Sequence, residues 1–134
     1  MSKFGSAALS TDTAARMTIL HPKTGVPLLD SDDAAAWIEL YGLDSERAQQ
    51  HNRTVTNRRL TGGRSRANID SDQIEAEQVD LLAALTAGWH LVGLDGAPLA
   101  VEHSAANARE LYAERGMRWL REQVESFVAN RANF

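Results

Sequence analysis

Ala36–Tyr41, AWIELY, can be read in two ways, and the choice sets the fold class. As a helix, it would be capped by Ser31-Asp32-Asp33 and run through Trp37, Ile38 and Tyr41 to a stop at Gly42. As a strand it alternates, with Trp37, Glu39 and Tyr41 on one side and Ala36, Ile38 and Leu40 on the other. Its aromatic and β-branched content favours the strand. Upstream, Met17–Leu20 (MTIL) is a second short extended run. His21-Pro22-Lys23-Thr24-Gly25 turns the chain after it, because Pro22 fixes one φ and Gly25 tolerates a positive one. Val26-Pro27-Leu28-Leu29 continues extended, with Pro27 barring it from the middle of a sheet. A strand at 36–41 would pair antiparallel with Met17–Leu20.

Helical signals dominate the rest of the chain. Asp44-Ser45 opens a helix over Glu46–Asn57, which has little apolar face beyond Ala48 and Val55. From Arg47 to Ile69 there is no acidic residue, and Gly62-Gly63 breaks any helix. Residues 52–69 therefore read as an Arg-rich loop or linker. Arg53, Arg58, Arg59, Arg64 and Arg66 are candidates for an electropositive contact. Asp70–Ala87 is a stronger helix with a stripe of Ile74, Leu81, Leu82 and Leu85, and Gly88 is placed to end it in a left-handed turn. Trp89–Val92 is extended, Asp95-Gly96 marks a tight turn, and Leu94–Val101 forms a small hairpin or a looped crossing. Ser104 caps a helix over Ala105–Glu114, with Ala108, Leu111 and Tyr112 facing in. Gly116 then separates it from the terminal stretch Gly116–Phe134, GMRWLREQVESFVANRANF.

In that terminal helix Met117, Leu120, Val124, Phe127 and Val128 recur at three- and four-residue steps, and Trp119 widens their stripe. Arg118 with Glu122, and Arg121 with Glu125, are spaced to meet on the wet surface. Such a stripe either docks on the protein's own core or forms a groove for a partner helix. The partner-facing candidates are Met117, Trp119, Leu120, Val124, Phe127 and Val128, together with Trp89 at the Gly88-Trp89 corner. The fold class expected is α+β, mainly α. A small N-terminal antiparallel β element precedes about four helices packed as one domain over residues 16–134, behind a flexible tail at 1–15.

With 134 residues, 43% hydrophobic, the chain has enough material for one modest core. A net charge of −4 gives no global attraction to nucleic acid or anionic membrane. The absence of cysteine excludes disulfides and thiolate chemistry and suits a reducing compartment. No apolar run approaches the roughly 20 residues that span a bilayer, and residues 1–15 lack a signal-peptide core, so a soluble intracellular protein is expected. His21, His51, His90 and His103 have no metal-binding spacing. The Asp30, Asp32, Asp33 cluster lacks the central glycine and closing glutamate of a calcium loop. Neither a P-loop nor a nucleophile elbow occurs. No catalytic set, metal or cofactor is therefore expected.

Three stretches together resemble one family: AWIELYGLDSER (Ala36–Arg47), LLAALTAGWHLVGLDGAPL (Leu81–Leu99), and NARELY (Asn107–Tyr112) followed by WLREQVESFVANRANF (Trp119–Phe134). Their order is similar to that in tail-assembly chaperones of long-tailed (siphovirus-type) bacteriophages. The resemblance covers roughly residues 16–134. It implies a non-catalytic protein of the host cytoplasm, absent from the mature virion, that binds the tape-measure protein and helps recruit major tail (tube) subunits. It also implies self-association, or association with a frameshifted longer form. The alternatives from other classes are a structural virion protein, such as a head–tail connector or tail-completion subunit, and a nucleic-acid binder using the arginines between Arg47 and Arg66. The acidic balance and the scarcity of aromatics near those arginines disfavour the nucleic-acid reading.

Overall fold

The computed structural model describes residues 13–61 and 71–134, with 59–61 described by backbone alone. Three strands, β1 (Ala15–Thr18), β2 (Trp37–Leu40) and β3 (Thr86–His90), form an antiparallel sheet in the order β1-β2-β3. Met17 pairs with Ile38, and Ile38 pairs with Trp89. Ala36, Ile38 and Leu40 are completely buried, while Trp37 and Glu39 keep partial exposure. The period of two thus fixes the strand reading of AWIELY. On the wetter face Arg16 lies 4.0 Å over the Trp37 ring and its Nε is 3.5 Å from Glu39.

Four helices cover the buried face: α1 (Glu46–Thr61), α2 (Ser71–Leu85), α3 (Ala105–Ala113) and α4 (Arg118–Ala129). The mainly helical α+β architecture follows. Ser45 caps α1 through its Oγ, which accepts from the Ala48 N–H at 3.3 Å. Ser104 caps α3, accepting from the Asn107 N–H at 3.0 Å. The largest enclosed side chains are Tyr112, Ile19, Ile38, Leu40, Leu82, Leu85, Leu120 and Val124, drawn from sheet and helices alike.

Several expectations need correction. Helix α1 does not stop at Asn57; it runs to Thr61, so the first part of the expected 52–69 loop is helical and carries Arg53, Arg58 and Arg59. Arg64 and Arg66 lie outside the described residues. Helix α2 ends at Leu85, and β3 starts at once. Gly88 is therefore no left-handed cap but a strand residue, its α-carbon facing the Trp37 ring. The cause is competition for carbonyls. Leu85 O accepts from the Tyr41 N–H at 2.9 Å, and Leu82 O accepts from the Thr86 hydroxyl at 2.8 Å, so sheet pairing displaces the last helical turn. The stripe on α2 also shifts: Ile74 is exposed, whereas Val79, Leu82, Ala83 and Leu85 are buried.

Helix α4 stops at Ala129, short of Phe134, and a 3₁₀ turn over Arg131–Asn133 folds the chain back. Its last carbonyls are taken by Leu43 N–H, which donates to Val128 O at 3.1 Å, and by Asn133 Nδ2, which donates to Phe127 O at 3.0 Å. The Phe134 ring packs edge-on to Phe127 and closes over Gly42, where a β-carbon would meet it at 3.0 Å. Arg121, expected on the wet surface, is only 9% exposed. Its guanidinium donates to Glu75 and Glu125, each at 3.0 Å, and so ties α4 to α2. Arg118 turns to the same Glu75 at 3.3 Å rather than to Glu122.

Helix α4 also covers the extended segment that follows β1. The Gln123 amide accepts from the Leu20 N–H at 3.0 Å and donates to the Leu20 carbonyl at 2.8 Å, taking the place of a neighbouring strand. Gln123→Ala is expected to lower unfolding free energy by about 1–2 kcal/mol, since each bond is worth roughly 1 kcal/mol and water replaces it only in part. Urea titration checks this.

Candidate partner-binding surface

Thr18, Trp37 and His90 share one register, so the chain leaves β1, enters β2 and leaves β3 at the same end of the sheet. Two loop systems grow from that end. The first, residues 19–36, is pinned at its base by three backbone bonds. Ile19 N donates to Ala36 O at 3.0 Å, Leu28 N to Ile19 O at 3.0 Å, and Ala36 N to Leu28 O at 2.8 Å. This divides the loop into two fingers. One turns at His21–Gly25, where His21 N donates to Val26 O at 2.8 Å. The other is turned by Asp30, whose Oδ1 accepts the N–H groups of Asp32 at 2.8 Å and Ala34 at 3.0 Å.

The second system, residues 91–104, begins with a hairpin. Leu99 N donates to Leu91 O at 3.0 Å and Gly93 N to Ala97 O at 2.8 Å. Gly96 supplies the left-handed residue with φ 86°, a conformation side-chain-bearing residues resist. The two systems adjoin. Asp30 Oδ2 lies 2.9 Å from His90 Nε2, and the Leu29 carbonyl closes on Gly96. The Ala34 N–H, chiefly, and the His90 ring hold the Asp30 carboxyl below its ordinary range. An ionised Asp30 only accepts, so His90 Nε2 carries the donated proton. Beyond the hairpin, the Trp89 indole N–H donates to Val101 O at 2.8 Å and its ring meets His103 edge-on at 5.1 Å.

These loops display Leu20, Val26, Leu29, Leu94, Leu99 and Val101, between 38% exposed at Leu20 and 57% at Val26. Among the described residues the remaining exposed large hydrophobic side chains are Leu43 and Ile74. Scattered single leucines need no explanation, but their concentration at one end of the sheet makes it the candidate docking surface. The same loops also expose Asp32, Asp33, Asp95 and Glu102, with Lys23 the lone lysine among them.

The candidates read from sequence fall differently. Leu120, Val124 and Val128 are enclosed in the core, so of the two readings of the terminal stripe the internal one is adopted. Met117, Trp119 and Phe127 pack against that core with partial exposure, and Trp89 is held by Val101 and His103. The structure therefore does not bring these residues together as an outward face. Arg53 and Arg58 are exposed on α1, with Arg53 paired to Glu46 at 2.6 Å. The apolar end of the sheet was missed because its residues lie in turn-rich segments, where no helical or strand period assigns a buried face. The signal available was leucine and valine between the Pro, Gly and Asp turn residues.

Polar groups elsewhere are engaged internally. Among the described residues no buried side-chain nitrogen or oxygen lacks a partner, and no cluster of three His, Asp or Glu is arranged to hold a metal. An open cleft of about 400 Å³ between α2 and α3 is lined by Asp72, Glu75, Asp80 and Arg109 over Ala76, Val79 and Ala113. No described helix is long and apolar enough to cross a membrane. Compared with protein-family models, curated proteins and solved structures, the chain matches none.

Proposed function

We propose that the chain is a non-catalytic binding protein, a tail-assembly chaperone of long-tailed phages that acts in the host cytoplasm and is absent from the finished virion. It holds the tape-measure protein and helps recruit tail-tube subunits. The family part of this reading rests on the sequence resemblance. The observation that supports binding is the apolar end of the sheet, which exposes Leu20, Val26, Leu29, Leu94, Leu99 and Val101 on loops pinned by backbone hydrogen bonds. A tape measure presents long apolar helical faces before the tube covers them, and such faces aggregate unless masked. Loops braced at their base can mask them without reorganising first, which limits the ordering cost of association.

Co-purification of the chain with tape-measure fragments tests the reading. Leu94→Asp is expected to weaken capture at least tenfold, about 1.4 kcal/mol, while leaving the melting temperature nearly unchanged, because Leu94 is already more than half exposed. Failure to capture any fragment across the tape measure would remove the proposal. So would mass spectrometry that finds the chain in stoichiometric amounts in purified virions, the result expected of a connector or tail-completion subunit.

A further inference from the structure

We infer that the occupant of the apolar end is an amphipathic helix whose hydrophobic face is flanked by lysine and arginine; this rests on the docking reading above and adds the partner's chemistry to it. A partner adding itself as a strand needs free backbone donors and acceptors along an edge. Here they are blunted. Gln123 occupies both backbone groups of Leu20, and the arms of the two hairpins carry Pro27, opposite Leu20, and Pro98, opposite Val92, neither with an N–H to offer. Contact must then come through side chains, from an element that already satisfies its own backbone, and a helix does so.

The charge of the loops selects among helices. Asp32, Asp33, Asp95 and Glu102 share them with the exposed leucines and valines, and among the described residues no cation forms an ion pair with any of these acids. A helix with acidic flanks meets like charge there, and so does an anionic lipid surface. Among the described residues a second copy of this chain offers no suitable element. Its α4 stripe is enclosed in its own core, and over the described side chains of its basic α1 Ala48 is buried and only Val55 adds a half-buried apolar group. Rim charges act mainly on encounter and selection, so the preference is salt-dependent.

The test uses the full chain and two labelled synthetic helical peptides with the same leucine face, one flanked by lysine and arginine, the other by glutamate. Fluorescence anisotropy is expected to show the basic peptide binding about tenfold more tightly at low salt, with most of that preference gone at about 1 M salt. Asp32→Asn with Asp33→Asn, which leaves Asp95 and Glu102, should cut the preference to about threefold, and asparagine keeps the turn because it tolerates the positive φ of 60° at Asp33. Leu94→Asp should abolish binding of either peptide. Equal affinity for both peptides, lost in Leu94→Asp, overturns the charge selection and leaves the docking reading standing. Binding of neither peptide removes both. Sedimentation showing self-association that Leu94→Asp dissolves assigns the surface to a second copy and overturns the inference, as does binding to anionic vesicles in preference to the basic peptide.

Discussion

Leu120→Ala is expected to lower the free energy of unfolding by about 3 kcal/mol, within the 2–5 kcal/mol range for truncating an enclosed leucine. Leu120 is 1% exposed and sits beside Val124 and Val128 on the face of α4 turned to the core. The loss combines the transfer free energy of the missing methyl and methylene groups with a cavity that collapses poorly. The surroundings are held from several sides: α4 is tied to α2 through Arg121 and Glu75, to the extended segment after β1 through Gln123 and Leu20, and to the turn after β2 through the Leu43 N–H. Leu94→Ala, in contrast, should change stability by no more than about 0.5 kcal/mol. The pair separates the two readings of the terminal stripe. If the stripe serves a partner, Leu120→Ala weakens binding and spares folding; if it is core, the order reverses. Urea denaturation of both variants, alongside capture of tape-measure fragments, reads the difference. A Leu120→Ala protein as stable as the parent would show that α4 is only loosely docked.

The same stripe shows what a sequence carries locally. The alternation of Ala36, Ile38 and Leu40, the caps at Ser45 and Ser104, and the spacing of Leu120, Val124 and Val128 each follow from residues within one or two turns of one another, and each is found where expected. Arg121 is different. Its i, i+4 partner Glu125 is legible, but its burial depends on Glu75, which lies 46 positions away on another helix. The end of α2 is likewise decided at a distance. Gly88 is a reasonable local stop, yet Tyr41 takes the Leu85 carbonyl and draws the chain into β3 before Gly88 is reached. The anchoring of α1 is also non-local: Arg47, in its first turn, lies 4.5 Å from the Tyr41 ring centroid and reaches the Ala84 carbonyl at 3.5 Å, holding the start of a helix that has little apolar face of its own. The apolar end of the sheet was least legible, since exposure in a loop follows from how two distant turns meet, here through Asp30 with His90 and Leu29 with Gly96.

Raising the pH from 9 to 12 should cost the parent protein about 2 kcal/mol more stability than it costs Tyr112→Phe. Tyr112 is enclosed between α3 and the sheet, and burial pushes its hydroxyl up to about 12 from an ordinary value of 10.0. Below pH 10 both folded and unfolded chains keep this proton, and stability is unaffected. Between 10 and 12 the unfolded chain gives it up while the folded chain retains it. The folded state then binds more protons, and stability falls by about 1.4 kcal/mol per pH unit until the folded hydroxyl also titrates. The hydrogen bonds around this group predict a second asymmetry at neutral pH. Thr86 Oγ1 lies 2.8 Å from the Leu82 carbonyl, which can only accept, so the single threonine proton goes there; the Tyr112 hydroxyl, 2.7 Å away, donates to Thr86. Tyr112→Phe leaves Thr86 with its carbonyl partner and should cost about 1 kcal/mol. Thr86→Val strands a buried hydroxyl and should cost more, toward 3 kcal/mol. Urea titrations of the three proteins between pH 9 and pH 12 test both points. Parallel alkaline losses in the parent and in Tyr112→Phe would mean that water reaches the Tyr112 hydroxyl. A milder effect of Thr86→Val than of Tyr112→Phe would mean that the proton in the 2.7 Å contact comes from the threonine instead.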